Sequence, residues 1–173
     1  SDPDFQYYAV TLTSRQKFVA LVDQIFPNPP LGPVVWLKIA TVPARPVTGF
    51  VLYGNFSLGI LCGYPLVGES ELRSQGIVPW LDGTRLIASN AVGSNTTAVT
   101  IAACDAGGAT LGTVSSGAIS IRTIKRLDPA ELFGGTVPAG TAFLRWTSSK
   151  NIHLWQEILQ NGQGTVVIPL DYE

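Results

Sequence analysis

Apolar and polar residues alternate along most of this chain with the two-residue period of strands, not the 3.6-residue period of helices. The clearest stretch is Ala98-Val99-Thr100-Ile101-Ala102-Ala103-Cys104, where Val99, Ile101 and Ala103 share one side and Thr100 and Ala102 the other. Asp105-Ala106-Gly107-Gly108 follows it. Its glycines can take positive φ, so the pattern predicts a hairpin whose second strand runs over residues 109–114. Further strands are predicted over residues 7–13, 34–40, 49–53, 84–89, 118–124, 141–147, 152–159 and 165–170. Gly, Pro and Asn clusters separate them at short intervals. Many short strands with frequent turn signals point to an all-β sandwich or barrel, and the expected fold is an antiparallel β-sandwich with one or two short helical turns.

Helical signals are few. In Asp128-Pro129-Ala130-Glu131-Leu132-Phe133 an N-cap Asp precedes Pro at the first helical position and Glu at the third, which predicts one short helical turn. Residues 16–26 place Phe18, Leu21, Val22 and Ile25 at helical spacing. Their β-branched content leaves a strand followed by a helical turn equally open.

The chain also aligns on itself at an offset of 107 residues. Val35-Trp36-Leu37-Lys38-Ile39 falls on Ala142-Phe143-Leu144-Arg145-Trp146, an apolar–aromatic–Leu–basic–apolar strand in register. Ile25-Phe26 falls on Leu132-Phe133, each closing a short apolar turn. Residues 80–114 have no counterpart in the first copy. The expected organisation is a partial repeat over residues 1–68, the rear half of a module, followed by a full β-sandwich module over residues 69–173.

Particular segments sharpen this. Asp82-Gly83-Thr84-Arg85-Leu86-Ile87-Ala88-Ser89-Asn90, the strand ending in Cys104-Asp105-Ala106-Gly107-Gly108, Leu132-Phe133-Gly134, Pro138-Ala139-Gly140 and Leu144-Arg145 follow one another in order. Together they resemble a β-sandwich repeat of secreted bacterial proteins. In the first copy Arg45-Pro46-Val47-Thr48-Gly49-Phe50-Val51-Leu52-Tyr53-Gly54 is similar to that family's Arg-Pro-Val-x-Gly-Phe-x-Leu-Phe-Gly strand. The second copy departs from it over residues 151–160, where Trp155, Gln156 and Glu157 stand in place of the Gly-Phe-x-Leu run. The resemblance implies a non-catalytic fold and an extracellular or periplasmic setting.

Charge changes the picture more than length does. Lys and Arg number 11, Asp and Glu 12, and charged residues are 13% of the chain, about half the roughly 25% of ordinary soluble domains. The net charge of −1 and the lack of any basic run give no source of steering toward nucleic acid. No apolar stretch approaches the roughly 18 residues of a membrane span. The chain contains no Met and its first residues, Ser1-Asp2-Pro3-Asp4, lack a signal-peptide layout, so a processed form is expected. Cys62 and Cys104 fit neither a zinc nor a redox spacing. They read as two small buried hydrophobes, or as a disulfide if the compartment is oxidising.

Candidate chemistry is thin. His153 is the only histidine, and no Gly-x-Ser-x-Gly elbow supplies a nucleophile for it to serve, so it reads as a surface residue. Most acids, such as Asp82, Asp105, Asp128 and Asp171, fall in turns or termini, while Glu69 and Glu71 fall in a polar linker. None pairs as glycoside hydrolysis requires or clusters as a calcium loop requires. Ala106-Gly107-Gly108 lacks the Lys-Ser/Thr of a phosphate loop, so no metal, cofactor or catalytic residue is expected. Asn55-Phe56-Ser57 and Asn95-Thr96-Thr97 match the glycosylation sequon. The four tryptophans, Trp36, Trp80, Trp146 and Trp155, read first as core or interface residues. The alternative is a stacking platform for sugar rings, for which Trp155, Tyr53 and Trp80 are the candidates. The expected function is a non-enzymatic extracellular structural or interaction module, pairing with a protein partner or a second copy through open edge strands. The alternative is a carbohydrate-binding module that meets polysaccharide.

Overall fold

The computed structural model describes residues 8–26, 39–43, 47, 49–55, 60–90, 95–160 and 163–167, with backbone only for 23, 50–55, 60–65, 159–160 and 163–167. The chain divides into two compact units, Ser1–Leu37 and Lys38–Glu173. In the first unit a single helical turn, α1 (Val22–Ile25), is closed at its start by the Gln24 side chain, whose Oε1 accepts from Leu21 N at 3.1 Å. Residues 16–21 are not helical. The strand predicted over 7–13 is not seen in its described part: residues 8–13 are all exposed, and an alternating pattern with no face to bury gives a ladder nothing to pack on.

The second unit is all-β and antiparallel. Its strands are β1 (Phe50–Asn55), β2 (Ile60–Pro65), β3 (Arg73–Pro79), β4 (Thr84–Ser89), β5 (Thr97–Cys104), β6 (Thr110–Ile119), β7 (Ile124–Leu127), β8 (Phe143–Gln160) and β9 (Gln163–Val167). β1 and β2 form a two-stranded hairpin in register Phe50↔Pro65 to Asn55↔Ile60. The other seven strands form one curled sheet organised around β8, in the order β6-β5-β8-β4-β7 with β3 and β9 also on β8. The first half of β8 pairs with β3 (Pro79↔Phe143 to Arg73↔Ile152) and with β5 (Cys104↔Phe143 to Val99↔Ser148). The second half pairs with β4 (Ser89↔His153 to Thr84↔Ile158) and β9.

Side-chain alternation explains this arrangement. Leu144, Trp146, Ile152 and Leu154 lie at even positions of β8 and all enter one core cluster. They meet Val78 of β3, Val99, Ile101 and Ala103 of β5, Leu86 and Ala88 of β4, Ile119 and Leu127. Around the second half of β8 the opposite face is also buried, with Ile87 paired to Trp155.

Several predicted boundaries move. The strands predicted over 141–147 and 152–159 merge into the single eighteen-residue strand β8, which begins at Phe143, because the turn-like Ser148-Ser149-Lys150-Asn151 run has partners. Thr97 Oγ1 lies 2.8 Å from Ser148 Oγ and 3.1 Å from Ser149 Oγ. The strand predicted over 118–124 ends at Ile119. Arg122 adopts the left-handed region (φ 56°), and Thr123 Oγ1 donates to Ser120 O at 2.8 Å, so the chain turns and Ile124 opens β7. β2 and β3 appear where no alternation announced them. The predicted strand over 34–40 lies outside the described residues except for 39–40, which are not in a strand. The strand over 84–89, the Asp105 turn and the helical turn α2 (Pro129–Leu132) form where the sequence places them, the strand predicted over 98–104 begins one residue earlier at Thr97, and its hairpin partner predicted over 109–114 runs on to Ile119. Asp105 Oδ1 accepts from Gly107 N (2.9 Å) and Ala109 N (2.8 Å), and Gly108 sits at φ 87°. Among the described residues no helix is long and apolar enough to cross a membrane.

Candidate functional site

The turn from β3 to β4 and the loop after α2 enclose the candidate site. Thr84 N donates to Leu81 O at 3.0 Å, with Gly83 at φ 79°, and this closes the turn. A buried glutamine anchors it. Gln156, 0% exposed, donates from Nε2 to Pro79 O and to Thr84 Oγ1, both at 2.8 Å. Thr84 Oγ1 also accepts from Leu81 N at 3.2 Å. One side chain of β8 thus holds the end of β3 and the start of β4 together.

The facing wall is set by a helix cap. Asp128 Oδ1 accepts from Ala130 N (3.0 Å) and Glu131 N (3.4 Å), fixing the start of α2. The turn then stops on two glycines at positive φ: Gly134 N donates to Glu131 O and Gly135 N to Ala130 O. Thr136 and Val137 follow.

Between these walls lies an open cleft of about 430 Å³, lined by Trp80, Asp82, Arg85, Asp128, Thr136 and Val137 among others. Trp80 is half-buried, packed against the core cluster, and its backbone N donates to Ala142 O at 2.9 Å. Among the described residues neither Asp82 nor Arg85 has an ion-pair or hydrogen-bond partner from its side chain. Among the described residues no three of the His, Cys, Asp and Glu side chains converge as a metal site would need.

No family model, curated protein or solved structure matches this chain.

Of the three residues singled out as a sugar platform, the structure brings Trp80 to the cleft. Trp155 is 6% exposed, enclosed on the covered face of β4 and β8 beside Ile87, so its ring is not presented to solvent. Tyr53 lies on β1, where side chains are outside the described set. Trp146 is in the core and Trp36 lies outside the described residues. His153, read from sequence as a surface residue, is half-buried. Its ring lies 4.8 Å from that of Trp155, and burial pushes its pKa below the ordinary 6.5, against a smaller opposing pull from Glu71. Cys104 is a buried free thiol. The side chain of Cys62 is outside the described set. Arg85 stood in the sequence only as part of a repeat-like strand, Thr136 carried no motif, and Asp128 was legible only as a helix cap.

Proposed function

We propose that this chain is a non-enzymatic structural or interaction module of a secreted or surface protein, an antiparallel β-sandwich whose first 68 residues are a partial copy of the second part. The sandwich reading is supported by β8, which serves two groups of strands, and by the single core that both groups fill. The extracellular or periplasmic setting and the repeat rest on the sequence resemblance.

The observation that carries the interaction reading is β6. Among the described residues this ten-residue strand pairs with β5 alone, and its sequence, TLGTVSSGAI, holds no charge and no Pro. Edge strands of stable monomers are usually short or guarded by charged residues. Here the guard is partial: Lys125 Nζ donates to Ser116 O and Ala118 O, covering one end only. Opposite pairs Ile101↔Val114 and Ala103↔Gly112 face one another through the ladder. Alternation then turns the N–H and C=O of Thr113 and Ser115 outward, ready to accept a strand. The occupant is a second copy of β6, antiparallel about a two-fold axis, which closes the assembly as a dimer.

Sedimentation equilibrium over a concentration series tests this. The wild-type chain is expected to dimerise. Thr113→Pro, which removes an outward N–H without touching the β5 ladder, is expected to be monomeric with an unchanged circular dichroism spectrum. A monomeric wild type, or a Thr113→Pro variant that still dimerises, overturns the reading.

A further inference from the structure

We infer that the cleft beside Trp80 binds a neutral pyranose ring of an oligosaccharide. Three features of its lining converge on that chemistry. Trp80 supplies a wall held from behind by the core and by its backbone bond to Ala142 O. Indole offers an apolar body for the C–H face of a sugar and a polar edge. Asp82 and Arg85 both line the cleft and, among the described residues, neither side chain has a partner. A carboxylate only accepts hydrogen bonds and a guanidinium only donates them, so neighbouring sugar hydroxyls, each both donor and acceptor, can satisfy the two at once.

Other ligand classes fit less well. A phosphate or an acidic sugar would meet Arg85 but face the carboxylates of Asp82 and Asp128, which line the same cleft. A cation would meet those acids but face Arg85. A wholly apolar ligand would strip water from all three charges with nothing in return. The size agrees as well: about 430 Å³ lies toward the small end of the roughly 300–1,000 Å³ of ligand pockets. An opening to solvent suits one ring of a longer chain. The walls are also preorganised, since Gln156 pins the β3–β4 turn and Asp128 caps α2. No residue of β6 lines this cleft, and the inference does not depend on strand addition.

Calorimetric titration of the full chain with maltohexaose, cellohexaose, laminarihexaose and xylohexaose tests the inference. Saturable binding of at least one is expected, lost in Trp80→Ala and weakened roughly tenfold or more in both Asp82→Asn and Arg85→Gln. Trp80 packs on the core, so the two polar variants, each with a wild-type thermal melt, keep the test independent of folding. Thr113→Pro is expected to bind as wild type does. No heat with any of the four at about millimolar concentration, binding indifferent to Asp82→Asn and Arg85→Gln, or tighter binding of oligogalacturonate than of every neutral chain would each overturn it.

Discussion

Gly76 is where one side chain constrains the sheet most tightly. It lies opposite Trp146 on β8, and a Cβ built there would sit 2.7 Å from Trp146 Nε1 and 2.9 Å from Cε2. The indole therefore rests directly on the glycine backbone. Gly76→Ala is expected to cost about 1–3 kcal/mol, since a packed core does not yield that distance without moving a neighbour. A fall in the urea midpoint at unchanged m-value would show it. His153 provides a second test at this scale. Burial lowers its folded pKa below the unfolded value near 6.5, so the unfolded state takes up the proton first as pH falls. Stability is full above about 6.5 and declines as pH drops from there through the folded pKa. Urea melts at about pH 8 and about pH 5 should show this slope, and His153→Gln should flatten it.

Among the elements, β8 shows both what alternation can reveal and where it fails. Its two halves were legible as strands because Leu144, Trp146, Ile152 and Leu154 alternate. Their continuity was not, because Ser148, Ser149 and Asn151 are the residues of turns, and what holds the run extended comes from across the sheet, in the Val99↔Ser148 pairing and the Thr97 hydroxyl against Ser148 and Ser149. β3 escaped notice for a related reason: Arg73-Ser74-Gln75-Gly76 is polar, and its place in the sheet comes from pairing with β8, a non-local fact. The Asp105 hairpin and the Asp128 cap were readable since each is fixed by bonds to residues within four positions. The candidate site combines both cases. Its turn and cap were visible separately, while the anchoring of the turn was not, because it comes from Gln156 of β8, more than seventy residues further along the chain. Asn90 belongs to this scale too. Buried at 1% exposure, its Nδ2 reaches the carbonyls of Asn95, Ile119 and Ser120, binding the end of β4 to the approach of β5 and the β6–β7 turn. Asn90→Ala is expected to cost about 1–3 kcal/mol by orphaning buried acceptors, measurable as a lowered melting temperature.

At the scale of the molecule the scarcity of charge acquires a physical role. A chain with 13% charged residues and a net charge of −1 has little long-range repulsion to keep copies apart. Association through β6 would be made of backbone hydrogen bonds and Thr, Ser and Val side chains. The dimerisation constant is therefore expected to change little between about 50 and about 500 mM salt, where an interface built on surface ion pairs would weaken. Sedimentation at the two concentrations distinguishes them. The place of β8 in the chain also sets an order in time. β3, β4 and β5 all precede it, and among the described residues β3 has no other strand to join. A growing chain can close the β5–β6 hairpin early, but β3 stays unzipped until residues 143–160 arrive. Such distant pairings are slow to find, so folding of the sheet waits on nearly its last strand.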